Sequence, residues 1–463
     1  MADKLEREME EMIEKATERF GQALRELIRW SYEESDEAPT VAEIEEKIRE
    51  WIGKIGEDSQ SMVLGQMDQR RRKGKRACPR CGERVYWTRY EARRYVTSLG
   101  TLRIERAYYH HGACHCGWVP LDERLKLGDS ELSPFVQEMV SYLGGFMPFE
   151  RVSKYLQRFM GIEISHDTVN ETTVQVGERL REEQEAAVQR AWAEGEVPTH
   201  AIEAAPKQLY VSADGINHRL PNGQGKELKV AAIYETEKRP NCAEEAIHAR
   251  DIEYVVASEA EALARAAYVR AVPRGLQKAQ ERVVLGDGAQ WIWNRVASAL
   301  KVPDCIEILD FYHATAYVWR AGECAFGEGT KQAKSWAQQA CHALKHEGPL
   351  PVLKKLRALP VPKSVSAEPI NNALNYIQKR THRMDYPSYR KKGLQIGSGS
   401  AESGVLQVVG ARINQPGMRW NGARAESVAH VRAAILSDRW DRHWASHQPT
   451  PRRYRRPSTR PVA

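Results

Sequence analysis

The sequence predicts a multidomain α+β protein: an α/β core interrupted by a helical insertion, preceded by a cysteine-bearing module and a helical region. Three observations carry this. Hydrophobic spacing changes at Leu209 from helical to strand-like. Cys78, Cys81, Cys114 and Cys116 cluster, whereas Cys242, Cys305, Cys324 and Cys341 are scattered and read as reduced thiols. Finally, two apolar strands far apart both end in Asp-Gly, and a small-residue turn over 396–404 introduces Glu402.

The 463 residues suffice for two or three cores. Net charge is +7, but residues 1–60 hold 9 Lys/Arg and 18 Asp/Glu, a net of −9, which leaves +16 on the rest. A basic body with an acidic head points to a polyanion partner, nucleic acid foremost. No apolar run is long enough to cross a bilayer. The charged, helical start argues against a secretory signal, so a cytoplasmic, nucleoid-associated protein is expected.

The first segment, 1–60, reads as an acidic helical hairpin. Leu5, Met9, Met12, Ile13, Phe20, Leu24 and Leu27 recur at three and four, as do Ile44, Ile48, Trp51 and Ile52 after a Thr40–Glu43 capping box. Its stripes serve either packing on the body or self-association. Segment 61–128 opens on Arg70, Arg71, Arg72, Lys73, Lys75 and Arg76, a run suited to DNA phosphates rather than mere solvation. The pair Cys78/Cys81 has zinc-knuckle spacing, strands over 92–99 and 101–109 follow, and Cys114/Cys116 closes the module. That order predicts a zinc ribbon with a structural Zn²⁺. The second pair is one residue tighter than usual, so His110, His111 or His115 can replace a ligand.

Segment 129–205 is helical, with a helix-turn-helix pattern over 149–180 that suits DNA binding or an ordinary helical hairpin. From 206 to 310 the expected order is three antiparallel strands (209–213, 228–234 after an Asn222-Gly223 turn, and 252–256), helix 259–272, strand 282–285, helix 290–300 and strand 305–309. A helical insertion fills 311–395, the core resumes over 396–445, and 446–463 is a basic, Pro-rich tail expected to be disordered. This order is that of a ribonuclease H-like core. There, carboxylates at the ends of the first and fourth strands lie side by side, and a later helix brings a third. Asp214, Asp287 and Glu402 occupy those places, with Glu426 the alternative third acid. The bland readings are hairpin turns for the Asp-Gly pairs and complementation of a helix dipole for Glu402. Three hard-oxygen ligands would suit a pair of Mg²⁺ or Mn²⁺ ions for phosphoryl transfer.

The stretches 211–215, 285–292, 310–313 and 397–402, with 120–125 and 412–420, resemble the insertion-sequence transposases of the ISKra type, Asp-Asp-Glu transposases near the Mutator-like and hAT branch. By that resemblance Asp214, Asp287 and Glu402 are the catalytic metal ligands, and Asp310 and His313 form the Asp-x-x-His that opens the insertion. His313 could equally be a core histidine. Arg412, Arg419 and Trp420 are expected at the DNA. The partner would be double-stranded DNA, both element ends and target, held by a homodimer or larger assembly. Small neighbours at Ala401 and Ser403 depart from the bulkier ones expected. A non-catalytic DNA-binding derivative and a structure-specific nuclease are the competing classes.

Overall fold

The computed structural model describes residues 2–33, 39–69, 74–195, 205–238, 247–300, 302–361 and 366–446. Arg70, Arg71, Arg72, Lys73 and the basic tail beyond 446 lie outside them.

Two helices come first, Ala2–Glu33 and Val41–Gln69. The capping box forms: Thr40 N and Oγ1 both donate to Glu43 Oε2, at 2.8 and 2.7 Å. The second helix runs past the expected end at residue 60. No proline interrupts it, and Leu64 and Met67 pack on the apolar face of the following hairpin, against a core including Tyr95, Leu102 and Tyr108. That hairpin pairs Trp87–Thr97 with Gly100–His111, and Cys116–Trp118 adds a third strand. Helices Phe149–Met160 and His166–Gln189 follow, separated by a turn in which Gly161 has φ +64°.

A five-stranded sheet forms from β1 (Gln208–Arg219), β2 (Gly225–Lys238), β3 (Ile247–Ala257), β4 (Glu281–Gly286) and β5 (Ile306–Leu309). Its order is β5-β4-β1-β2-β3; β2 pairs antiparallel with both β1 and β3, whereas β4 pairs parallel with both β1 and β5. The chain is thus a multidomain α+β protein with a mixed sheet. Leu209 to Ala213 are all fully buried, as expected of a central strand covered on both faces. Asn222-Gly223 turns β1 into β2, with Gly223 at φ +85°. Between β5 and Glu402 the described residues are helical, including Phe311–Phe326, Lys331–Glu347 and Glu368–Gln378.

The chain divides into two compact units. One holds the chain up to Val140 together with Phe149–Val169; the other holds Ser141–Pro148 and Asn170–His443. The helical region expected over 129–205 is therefore split. From Asn170 onward it belongs with the sheet, where Gln184 Nε2 donates to Val256 O at 3.0 Å.

Candidate metal centres

In the first unit, Cys78, Cys81, His111 and Cys114 bring their ligand atoms within 4.8 Å of one another, the one such group among the described residues. Cys78 Sγ lies 3.4 Å from Cys114 Sγ, and His111 Nδ1 lies 3.2 Å from both Cys81 Sγ and Cys114 Sγ. Local backbone explains the shape. Gly82 N donates to Cys78 O at 2.9 Å and takes φ +78°, closing the knuckle, and Arg80 donates to Cys114 O at 2.8 Å. Three thiolates and one imidazole at tetrahedral separations are a structural zinc donor set.

The geometry corrects one expectation. His111, not Cys116, is the fourth member. Cys116 begins the third strand, paired opposite His111, so its thiol stays beside Cys78 but outside the group of four. His111 offers Nδ1 to the group and turns Nε2 to the Glu83 carboxylate at 3.2 Å, an outer partner that fixes a ligating histidine's tautomer. The Cys78 thiol is pushed up by burial. Hydrogen bonds from the Arg80 and Cys81 backbone and from neighbouring thiols outweigh that and bring it down to about 6, readying it as a thiolate.

In the second unit, the acids sit on three elements. Asp214 lies within β1, which continues to Arg219, so Asp214-Gly215 is not a hairpin turn. Ala213 pairs with Gly286, the last residue of β4, which places Asp287, just past the end of β4, beside Asp214 on the neighbouring strand. Asp287 Oδ1 accepts from Ala289 N at 2.9 Å. Glu402 is in the first turn of the helix Gly399–Val405, where Ser398 Oγ donates to its Oε1 at 3.0 Å. The three belong together electrostatically. Burial raises the Asp214 carboxyl to about 6, against the pull of a hydrogen bond from Gly215; Asp287 and Glu402 push it higher, and His313 lowers it.

Asp310 ties these pieces together. Fully buried, it caps the helix Phe311–Phe326 by accepting from His313 N, and it also accepts from Ser398 N just before Glu402. Its own N–H donates to Gly286 O at 2.8 Å, beside Asp287. His313 is exposed, not a core histidine. The small neighbours of Glu402 have a packing reason. A Cβ on Gly404 would come within 2.6 Å of the Tyr254 ring, one on Gly397 within 2.7 Å of the Tyr312 ring, and Ala401 is fully buried. Glu426 is engaged elsewhere, accepting from Ser258 N at 2.8 Å and Oγ at 2.6 Å.

The sequence offered no sign of the clamp on Asp287. Tyr376 and Arg380, at the end of the helix Glu368–Gln378, reach back from the insertion: Tyr376 Oη donates to Asp287 O at 2.6 Å and Arg380 to Gly288 O at 3.1 Å. Gly288, at φ +99°, leaves no room for a Cβ between them.

Two of the residues expected at DNA are buried. Arg412, 1% exposed, donates Nε to Gly144 O at 3.0 Å and lies over the Trp420 ring at 4.9 Å; Trp420 donates Nε1 to Ile413 O at 3.0 Å. Burial and neighbouring Arg432 bring the Arg412 guanidinium down to about 10. Both residues hold the segment together rather than presenting it. Arg419, Lys75 and Arg76 remain at or near the surface. No described helix is long and apolar enough to cross a membrane.

No curated protein matches the chain. A family model does, over residues 35–445, nearly the whole length and both candidate sites. The chain belongs to the uncharacterised protein family UPF0236.

Proposed function

We propose that the protein is a metal-dependent DNA transposase with a ribonuclease H-like core, and that Asp214, Asp287 and Glu402 are its catalytic residues. The carrying observation is their convergence from β1, the end of the adjacent β4 and a later helix: burial raises the Asp214 carboxyl, and Asp287 and Glu402 add to that rise. The strand order and the helical insertion between the second and third acids support the same reading. The acids would hold two Mg²⁺ or Mn²⁺ ions, which activate a nucleophile and stabilise the leaving oxygen in phosphoryl transfer. The chain's own part is to keep three like charges in register. Asp310 fixes the Glu402 helix to β5, and Tyr376 and Arg380 fix the Asp287 turn. In cleavage, a water oxygen attacks the scissile phosphorus and the P–O3′ bond breaks. In joining, the freed 3′-hydroxyl attacks a target phosphorus as the target's own P–O3′ bond breaks, and the hydroxyl proton ends on the leaving 3′-oxygen. The Cys3His module, with Lys75 and Arg76, would grip double-stranded DNA.

Assembly as a dimer or larger fits the first two helices. Phe20 and Trp51 meet with ring centroids 5.3 Å apart, yet Met9, Ile13, Phe20 and Ile52 remain 45–58% exposed, an apolar surface suited to a second copy. Light scattering on a variant lacking residues 1–56 should give a lower mass than the full chain; equal masses would reduce these helices to packing elements.

A strand-transfer assay, using DNA termini taken from the ends of the element that carries the gene, tests the function. A transposase joins those ends to target DNA. Cutting without joining identifies a nuclease instead, and binding without cutting a non-catalytic derivative.

A further inference from the structure

The zinc-bearing unit carries aromatic surface that neither its core nor its metal site uses. We propose that Tyr86, Trp87 and Tyr90, with Lys75 and Arg84 beside them, form a stacking platform for unpaired nucleotides of a nucleic acid strand. The backbone builds it. A bulge between Trp87 and Arg89 inserts Thr88, which turns Trp87 and Tyr90 to the same face, with ring centroids 4.8 Å apart. Tyr86 is 65% exposed, Trp87 39% and Tyr90 40%, whereas Tyr95, Tyr108, Tyr109 and Trp118 of the same unit are buried. The Lys75 ammonium sits 5.1 Å from the Tyr86 ring centroid, and Arg84 is held by Lys75 O at 3.3 Å. Lys75 and Arg84 take part in no ion pair among the described residues, whereas Arg89 is neutralised by Glu91.

The chemistry selects the ligand. Cations alone would serve a duplex, whose bases are stacked internally and offer no free face. Exposed rings interleaved with unneutralised cations match a strand whose bases are free to stack and whose phosphates need neutralising. This deepens the proposed DNA-processing role, since separating element ends leaves unpaired strands, but it is tested without catalysis.

Fluorescence anisotropy of the full chain, with labelled oligo-dT of about 12 nucleotides and with a duplex of equal length, decides it. Tyr86→Ala and Trp87→Ala should each weaken oligo-dT binding roughly five- to a hundredfold, leave duplex binding unchanged and leave zinc content unchanged. Trp87→Phe, which keeps a ring, should retain most of the affinity. The proposal is overturned if none of the variants alters oligo-dT binding, or if both ligands weaken together. Loss of oligo-dT binding in these variants, in a protein whose nicking proves independent of the three acids, would leave this platform standing and remove the transposase reading alone.

Discussion

The two candidate metal centres are built in opposite ways. The Cys3His group draws its members from 37 residues of one module, with four donor atoms within 4.8 Å. The acids come from β1, the end of β4 and a helix beyond the insertion, and they are not gathered that tightly. In the first, a bound zinc would tie the knuckle to a small core in which Cys78 packs with Ala107, Tyr109 and Trp118. In the second, an assembled sheet and insertion hold like charges together at a cost in stability. Removing a ligand should therefore have opposite consequences in the two places.

The largest effect is expected at the zinc group. Structural zinc supplies roughly 10–16 kcal/mol in comparable small sites, so Cys78→Ser or His111→Ala should lose the metal and unfold the module. Cys116→Ser should keep about one zinc per chain, by elemental analysis. Zinc lost with Cys116→Ser and retained with His111→Ala would restore the ligand set expected from spacing.

Next is the clamp. Tyr376→Phe removes the hydroxyl that holds Asp287 O but keeps the ring stacked on Tyr317. Outer partners of metal ligands are commonly worth 10–100-fold, so the Mg²⁺ concentration for half-maximal DNA nicking should rise by about that factor, with little change in melting temperature. A change in melting temperature alone would make Tyr376 a packing residue.

Arg412→Ala should destabilise the second unit by roughly 1–3 kcal/mol, because it strands the Gly144 carbonyl. It should leave the salt dependence of DNA binding unchanged. Replacing Arg419, which is exposed, should instead flatten the slope of log affinity against log salt by about 0.9 if it meets a phosphate.

The acid centre yields the smaller, inverted effect. Asp214 titrates near 6 when folded, above an ordinary aspartate, so the native state holds the extra proton. The stability this contributes is full below about pH 4 and is lost as pH rises through about 6. In metal-free protein near neutral pH, Asp214→Asn should thus raise stability, by about 1 kcal/mol once solvent screening of this half-buried group is allowed for. Calorimetry at several pH values checks the sign; a destabilised variant would mean that Asp214 is held by favourable partners instead.

Legibility followed the same division. Cys78 and Cys81 announce themselves by spacing, and Asn222-Gly223 by turn chemistry, because both signals are local. The succession of strands was readable from period and length, and it put Asp214 and Asp287 on strands that prove to be neighbours. What could not be read depends on register or packing. His111 over Cys116 is decided by how the hairpin pairs with its third strand. The burial of Arg412 and Trp420 depends on their packing within the second unit, and a basic, aromatic stretch looks the same whether it faces DNA or a core. Tyr376 and Arg380 act on Asp287 from about ninety residues away, a reach that no local pattern encodes.

The most direct test of the account is Mg²⁺- or Mn²⁺-dependent nicking of DNA by Asp214→Asn, Asp287→Asn, Glu402→Gln and Glu426→Gln, each with DNA binding measured alongside. The account predicts that the first three bind DNA and do not cut, because each keeps its shape and loses a charged ligand, whereas Glu426→Gln, whose carboxylate serves Ser258, cuts as the parent does. Normal cutting by the first three variants, or loss confined to Glu426→Gln, would contradict it.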